Sequence, residues 1–100
     1  MEIKQIKYFV ETVRRGGMTQ ASEHLYIAQS TISKAIKSIE NEYDITLFDR
    51  SQKQIKLTDI GQTFYDNSLE FLALFEKLSL EMNDVMNVQK GHIRIALSPM

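Results

Sequence analysis

Between Met18 and Ile36 the chain runs Met-Thr-Gln-Ala-Ser-Glu-His-Leu-Tyr-Ile-Ala-Gln-Ser-Thr-Ile-Ser-Lys-Ala-Ile, which reads as two short helices joined by a tight turn. Ala21 and Leu25 face inward on the first, and the small alanine lets the second helix approach closely. Thr19 is the expected N-cap of the first helix, and Ser30 or Thr31 that of the second. Along the second helix Ile32, Ile36, Ile39 and Tyr43 step by four, three and four, so one face is core. Ser33, Lys34, Lys37 and Asn41 are left pointing outward. Small hydroxyl side chains followed by lysines suit a helix that enters a DNA major groove and touches phosphates on its rims.

The flanking segments fit a small helical head. Ile3, Ile6, Val10 and Val13, with Phe9 beside them, recur at helical spacing, and Gly16-Gly17 ends that helix just after Arg14 and Arg15. From Leu47 the period changes, and residues 47–50 and 55–58 read as two short strands around the polar 51–54, a wing beside the third helix. Thr58 can cap a long fourth helix, with Asp59 placed against its positive end.

In that helix Leu57, Ile60, Phe64, Ser68, Phe71, Phe75, Leu78, Met82 and Val85 follow alternating steps of three and four, the spacing of a coiled-coil seam. Leu69, Leu72, Leu74 and Leu80 widen the apolar surface beyond what three small helices cover, so a second copy of the chain is the expected cover. Phe64, Phe71, Phe75, Leu78, Met82 and Val85 are the expected pairing residues. Residues 87–91 look like a polar linker, after which Ile93, Ile95 and Leu97 alternate with polar or small residues as a strand does. A lone strand has nothing to pair with, which suggests the opening of a further domain. The expected organisation is mainly α: a winged helix-turn-helix over 1–58, a linker and dimerisation helix over 59–87, and a hinge with a first strand over 88–100.

A net charge of -1 argues mildly against a nucleic-acid partner. The average hides an asymmetry, because residues 1–58 carry nine Lys/Arg against seven Asp/Glu while 59–100 carry three against six. Lys34 and Lys37 on the third helix, and Arg50, Lys53 and Lys56 along the wing, stand in stretches without an acid. Local sign outweighs global sign over a Debye length of about 8 Å. Lys4, Lys7, Arg14 and Arg15 on the first helix read as solubilising groups or partners of the helix dipole, with contact to a backbone phosphate left open for Lys7.

Other chemistries are poorly served. The Ser/Thr cluster at 30–33 has His24 six residues before it but no paired acid, so a nucleophilic triad has no basis and no catalytic residue is expected. The chain has no cysteine, and His24 and His92 lie far apart, which fails the pattern of a metal site. No cofactor is expected. Phe64, Tyr65, Phe71 and Phe75 have the spacing of core or pairing residues rather than of a base-stacking platform. No apolar run approaches the ~20 residues that span a bilayer, and no secretory leader is evident, so a cytoplasmic location is expected. A winged helix that has lost DNA and serves only protein contacts is the competing reading. It should carry acids or large apolar groups on the outward face of the third helix, where Ser33, Lys34 and Lys37 stand instead.

Over essentially its whole length the chain resembles the LysR-type transcriptional regulators of bacteria. The resemblance rests on Ile3-x-x-Ile6-Lys7-Tyr8-Phe9, on Gly16 to Leu25 with Ala21, on Gln29-x-x-Ile32-Ser33-Lys34-x-Ile36, on Leu47-Phe48-x-Arg50 and on Leu57-Thr58-x-x-Gly61. Gly91-His92-Ile93-Arg94-Ile95-Ala96 looks like the start of that family's effector-binding domain. The resemblance implies a third helix in the major groove, a wing on flanking backbone or minor groove, a linker helix that pairs subunits, and an operator that is an interrupted inverted repeat. It places Gln29, Ser33 and Lys34 at groove-facing positions, Ser30 and Thr31 at the start of the reading helix, and Arg50 in the wing, with Lys53 at the wing tip. Thr19 joins this DNA-facing set with Lys37. A small-molecule effector is expected only in a full-length protein. Ser30 stands where the family usually has proline, and Asp44 where it usually has glycine; serine can cap in place of proline, and Asp accepts a left-handed backbone better than most residues. Gly16 to Ser22 and Ile27 to Gln29 also resemble regulators of murein-hydrolase and overflow-metabolism genes in Gram-positive bacteria.

Overall fold

Five short elements and one long helix make up the computed structural model, which describes residues 1–51 and 53–89. They are α1 (Ile3–Arg15), α2 (Met18–Leu25), α3 (Gln29–Tyr43), β1 (Phe48–Asp49), β2 (Lys56–Leu57) and α4 (Asp59–Gln89). This is a mainly α winged helix-turn-helix followed by a longer helix. The chain divides into two compact units after Leu69, so the opening turns of α4 belong to the head. Among the described residues no helix is long and apolar enough to cross a membrane.

Phe9 organises the head. It is fully buried on α1, and its ring meets Phe48 of β1 at 5.4 Å between centroids, Phe64 of α4 at 5.0 Å and Tyr65 at 6.3 Å. Tilted and edge-on contacts of this kind add to the burial of the rings themselves. Ile32, Ile36 and Ile39 of α3 are buried with it, as the spacing predicts. Tyr43 departs from that stripe and is 49% exposed, although Glu40 on the same last turn is buried.

The helix ends also correct the capping scheme. α2 begins at Met18 after Gly17, which places Thr19 inside the first turn, and α3 begins at Gln29 after Ala28, with neither Ser30 nor Thr31 acting as a cap. The definition instead comes from the stops. Gly16 takes a left-handed backbone (φ 86°), and its N–H and that of Gly17 both donate to the Thr12 carbonyl. Tyr26 and Asp44 close α2 and α3 in the same way at φ 58° and 53°. Asp44 tolerates this conformation as expected. Tyr26 does not, since a bulky L-residue there costs about 1–2 kcal/mol, and its side chain is 94% exposed and gains no packing in return. Tyr26→Asn is therefore expected to stabilise the head by about 0.5–1 kcal/mol, read as a rise of a few degrees in thermal midpoint.

The wing pairs Phe48 with Leu57 and Asp49 with Lys56 in antiparallel register, shorter than the strands expected at each end. Thr58 then caps α4: its Oγ accepts from the Gly61 N–H at 3.0 Å, and its own N–H donates to the Leu47 carbonyl at 3.0 Å. Gly61 lies so close that a Cβ would run into the Leu47 carbonyl oxygen. The absence of a side chain is what lets α4 start against the wing. Residues 87–89, expected in a linker, continue α4. The rest of the expected hinge and strand, residues 90–100, lies outside the described residues.

Candidate nucleic-acid interface

The turn before α2, the first turn of α3 and the wing meet in an open groove of about 760 Å³ lined by Thr19, Gln20, Gln29, Arg50, Lys53 and Gln54, among others. Four expected DNA-facing residues, two of them cationic, are thus brought together from segments up to thirty-four positions apart in sequence. Ser30 and Thr31 are exposed on the same first turn of α3. Farther along the helix, Ser33, Lys34, Lys37, Ser38, Asn41 and Glu42 line a second open concavity. Glu42 is its one acid, and its carboxylate is paired with the amino terminus at 2.8 Å. All nine residues expected to face DNA are exposed.

Arg50 is held by a residue that the sequence reading passed over. Glu40 is buried on α3; its Oε2 accepts the Leu47 N–H at 2.7 Å and stands 3.5 Å from Nη1 of Arg50. One carboxylate thereby satisfies a buried backbone donor at the start of the wing and fixes one side of the guanidinium, whose side chain is still 52% exposed. The signal in the sequence is an acid four residues after Ile36, on the margin of the apolar stripe. Removing a carboxylate that serves a buried N–H leaves that donor unpaired.

At the wing, Asp49 Oδ1 accepts both the Ser51 hydroxyl at 2.6 Å and the Ser51 N–H at 2.9 Å. The Ser51 hydroxyl, then its amide, hold the Asp49 carboxyl below the usual carboxylate value. A lowered pKa means that the turn is favoured above the usual value near 3.8 and loses this support as pH falls through the lowered one. The Ser51 amide resonance is expected to titrate with a midpoint below that of a free aspartate, and a midpoint at or above it would contradict the turn.

The cations of α1's last turn are differently placed. Arg14 and Arg15 reach the Glu11 carboxylate at 3.6 and 3.1 Å, and Arg15 Nη2 lies 2.8 Å from His24 Nε2. They form a surface network between α1 and α2. Among the described residues no group of three or more His, Asp or Glu is arranged to hold a metal ion.

α4 carries the other expected site. Phe64 turns its ring to Phe9 within the head. In the second unit the rings of Phe71 and Phe75 form a tilted pair with centroids 6.3 Å apart, and both are exposed together with Leu74, Leu78, Leu80, Met82, Val85 and Met86. Leu78 is 55% and Leu74 65% exposed, values unusual for adjacent turns of one apolar stripe.

Comparison with known proteins places this geometry. Residues 3–62 match the family described as bacterial regulatory helix-turn-helix protein, lysR family. The whole chain is 46% identical to 33% of an uncharacterised HTH-type transcriptional regulator, YwbI, of Bacillus subtilis strain 168. It is 33% identical over 99 residues, 99% of its length, to 32% of the nitrogen assimilation regulatory protein nac of Klebsiella aerogenes. The chain spans about a third of the length of these relatives. Among solved structures, a complex of the BenM DNA-binding domain with catB site 1 DNA superposes with a TM-score of 0.82 at 29% identity, covering 86% of this chain and 96% of that one. A complex of the CbnR DNA-binding domain with DNA gives 0.79 at 27% identity, covering 86% and 99%.

Proposed function

The chain belongs to the LysR family of bacterial regulatory helix-turn-helix proteins, and from that premise we propose that it binds double-stranded DNA sequence-specifically as a homodimer that regulates transcription. α3 enters the major groove, the wing lies on flanking backbone or minor groove, and the exposed stripe of α4 beyond Leu69 pairs two copies. Two-fold symmetry of the dimer calls for an operator that is an interrupted inverted repeat. Such a partner places the protein in the bacterial cytoplasm. The chain spans about a third of its relatives' length, and in a protein of that length we assign small-molecule control to a region beyond the matched third.

The observation that carries this reading is the outward face of α3, where Gln29, Ser30, Thr31, Ser33, Lys34 and Lys37 stand exposed without an acid among them, beside Arg50 and Lys53 of the wing. A helix face of donors bordered by cations matches base edges between two phosphate rims. The narrower likeness to murein-hydrolase and overflow-metabolism regulators rests partly on Ala21 and Ser22, which are buried. It reports on the scaffold of the motif and assigns no target genes.

Lys34→Ala is expected to weaken specific binding more than non-specific binding, by about 1–3 kcal/mol. Lys53→Ala should lower affinity for all sequences and flatten the dependence of log K on log salt by about one. Titrations of a specific and a scrambled duplex at two salt concentrations separate the two effects. If both variants match the parent protein, the interface has been misassigned.

A further inference from the structure

Lys4 and Tyr8 lie one turn apart on α1, facing Thr31, Lys34 and Ser38 on successive turns of α3, and these five side chains line one open groove between the two helices. Ala35, which also lines it, is buried, and its small side chain allows the helices to approach. Gln5 Nε2 donates to Ser38 Oγ at 3.4 Å across the same groove, and the Gln5 carbonyl oxygen of the side chain accepts the Glu2 N–H at 2.9 Å. Glu2 is the one acid in the lining. Two ammonium groups, a phenol and two hydroxyls therefore face one carboxylate. Lys34 and Ser38 also line the concavity on the opposite flank of α3, so the groove is continuous with the surface assigned to DNA.

We propose that this groove seats a backbone phosphate of DNA flanking the bases that α3 faces, with Lys4 as its cation and Tyr8 as a hydroxyl donor. The inference rests on the proposed function and extends it to α1. A phosphate oxygen accepts hydrogen bonds and donates none, and Lys4, Tyr8, Thr31, Lys34 and Ser38 each bring a side-chain donor to the groove. Lys4 and Tyr8 at i and i+4 present those donors on one face of α1. Lys7 is also exposed on the same helix but lies outside the lining, so charge on α1 alone and charge in the groove make different predictions.

The test compares Lys4→Gln, Lys7→Gln and Tyr8→Phe by titrating one labelled duplex at two salt concentrations, with thermal melts to verify folding. Lys4→Gln is expected to weaken binding severalfold on specific and scrambled duplexes alike and to reduce the salt slope by about one. Tyr8→Phe should weaken binding with the slope unchanged, and Lys7→Gln should match the parent protein. A duplex with a neutral methylphosphonate at the contacted position should bind the parent and Lys4→Gln equally. If Lys4→Gln behaves as Lys7→Gln while Lys34→Ala still weakens specific binding, the groove assignment is overturned and the DNA-binding reading stands. If Lys34→Ala and Lys53→Ala are also without effect, both are overturned.

Discussion

Phe9→Ala is expected to unfold the head at temperatures where the parent chain is folded. The ring is wholly buried and touches three other aromatic rings from β1 and α4, so its loss leaves a cavity that the short wing and two helices have little means to fill. Deleting a buried phenylalanine costs about 3–5 kcal/mol, against total stabilities of about 5–15 kcal/mol for whole domains. For a head of this size that corresponds to a fall of at least about 12 °C in thermal midpoint. Phe71→Ala, which removes an exposed ring of the same size, should leave the midpoint of the head within a few degrees. Equal losses in the two variants would contradict the placement of Phe9 at the centre of the core.

The second large effect concerns pairing. α4 is 31 residues long, or ~46 Å at the rise of an α-helix. Its part beyond Leu69 presents Phe71, Phe75, Leu78, Met82 and Val85 to solvent in the single chain. The combined change Phe75→Asp and Leu78→Asp is expected to abolish dimers in sedimentation at micromolar concentration. A carboxylate buried without a partner costs several kcal/mol, and two copies would place four in one seam. DNA affinity should fall with it by about 10²-fold or more through lost bivalency. A dimer mass that survives the double change would show that this stripe is not the pairing surface.

Much of this arrangement was legible in residue spacing. The apolar steps of α1, α3 and α4 report burial directly, Gly16 marks a stop that few other residues can adopt, and Thr58 caps α4 through its own hydroxyl. Asp44 was readable through the family resemblance, which usually has glycine at that position, and it does take a left-handed backbone. What spacing left out depends on contacts distant in the chain. Ser30 and Thr31 look like caps, but α3 begins at Gln29 after Ala28, so both lie inside its first turn, where they are exposed. Glu40 reads as an ordinary helix acid until the wing brings the Leu47 amide and Arg50 to it. Lys4 reads as a solubilising group until α3 packs beside α1 and puts Lys34 in the same groove. Phe64 follows the seam spacing yet turns to Phe9, because the first turns of α4 belong to the head.

Whether the exposed face of α3 reads DNA sequence as part of a two-fold dimer is decided by selecting duplexes from a random pool and titrating the selected duplex against its scrambled counterpart at two salt concentrations. Selected sites should contain an interrupted inverted repeat and be bound at least about 10³-fold more tightly than the scrambled duplex, with both affinities falling as salt rises. Equal affinities for the two duplexes, or a selected pool without two-fold symmetry, would contradict it.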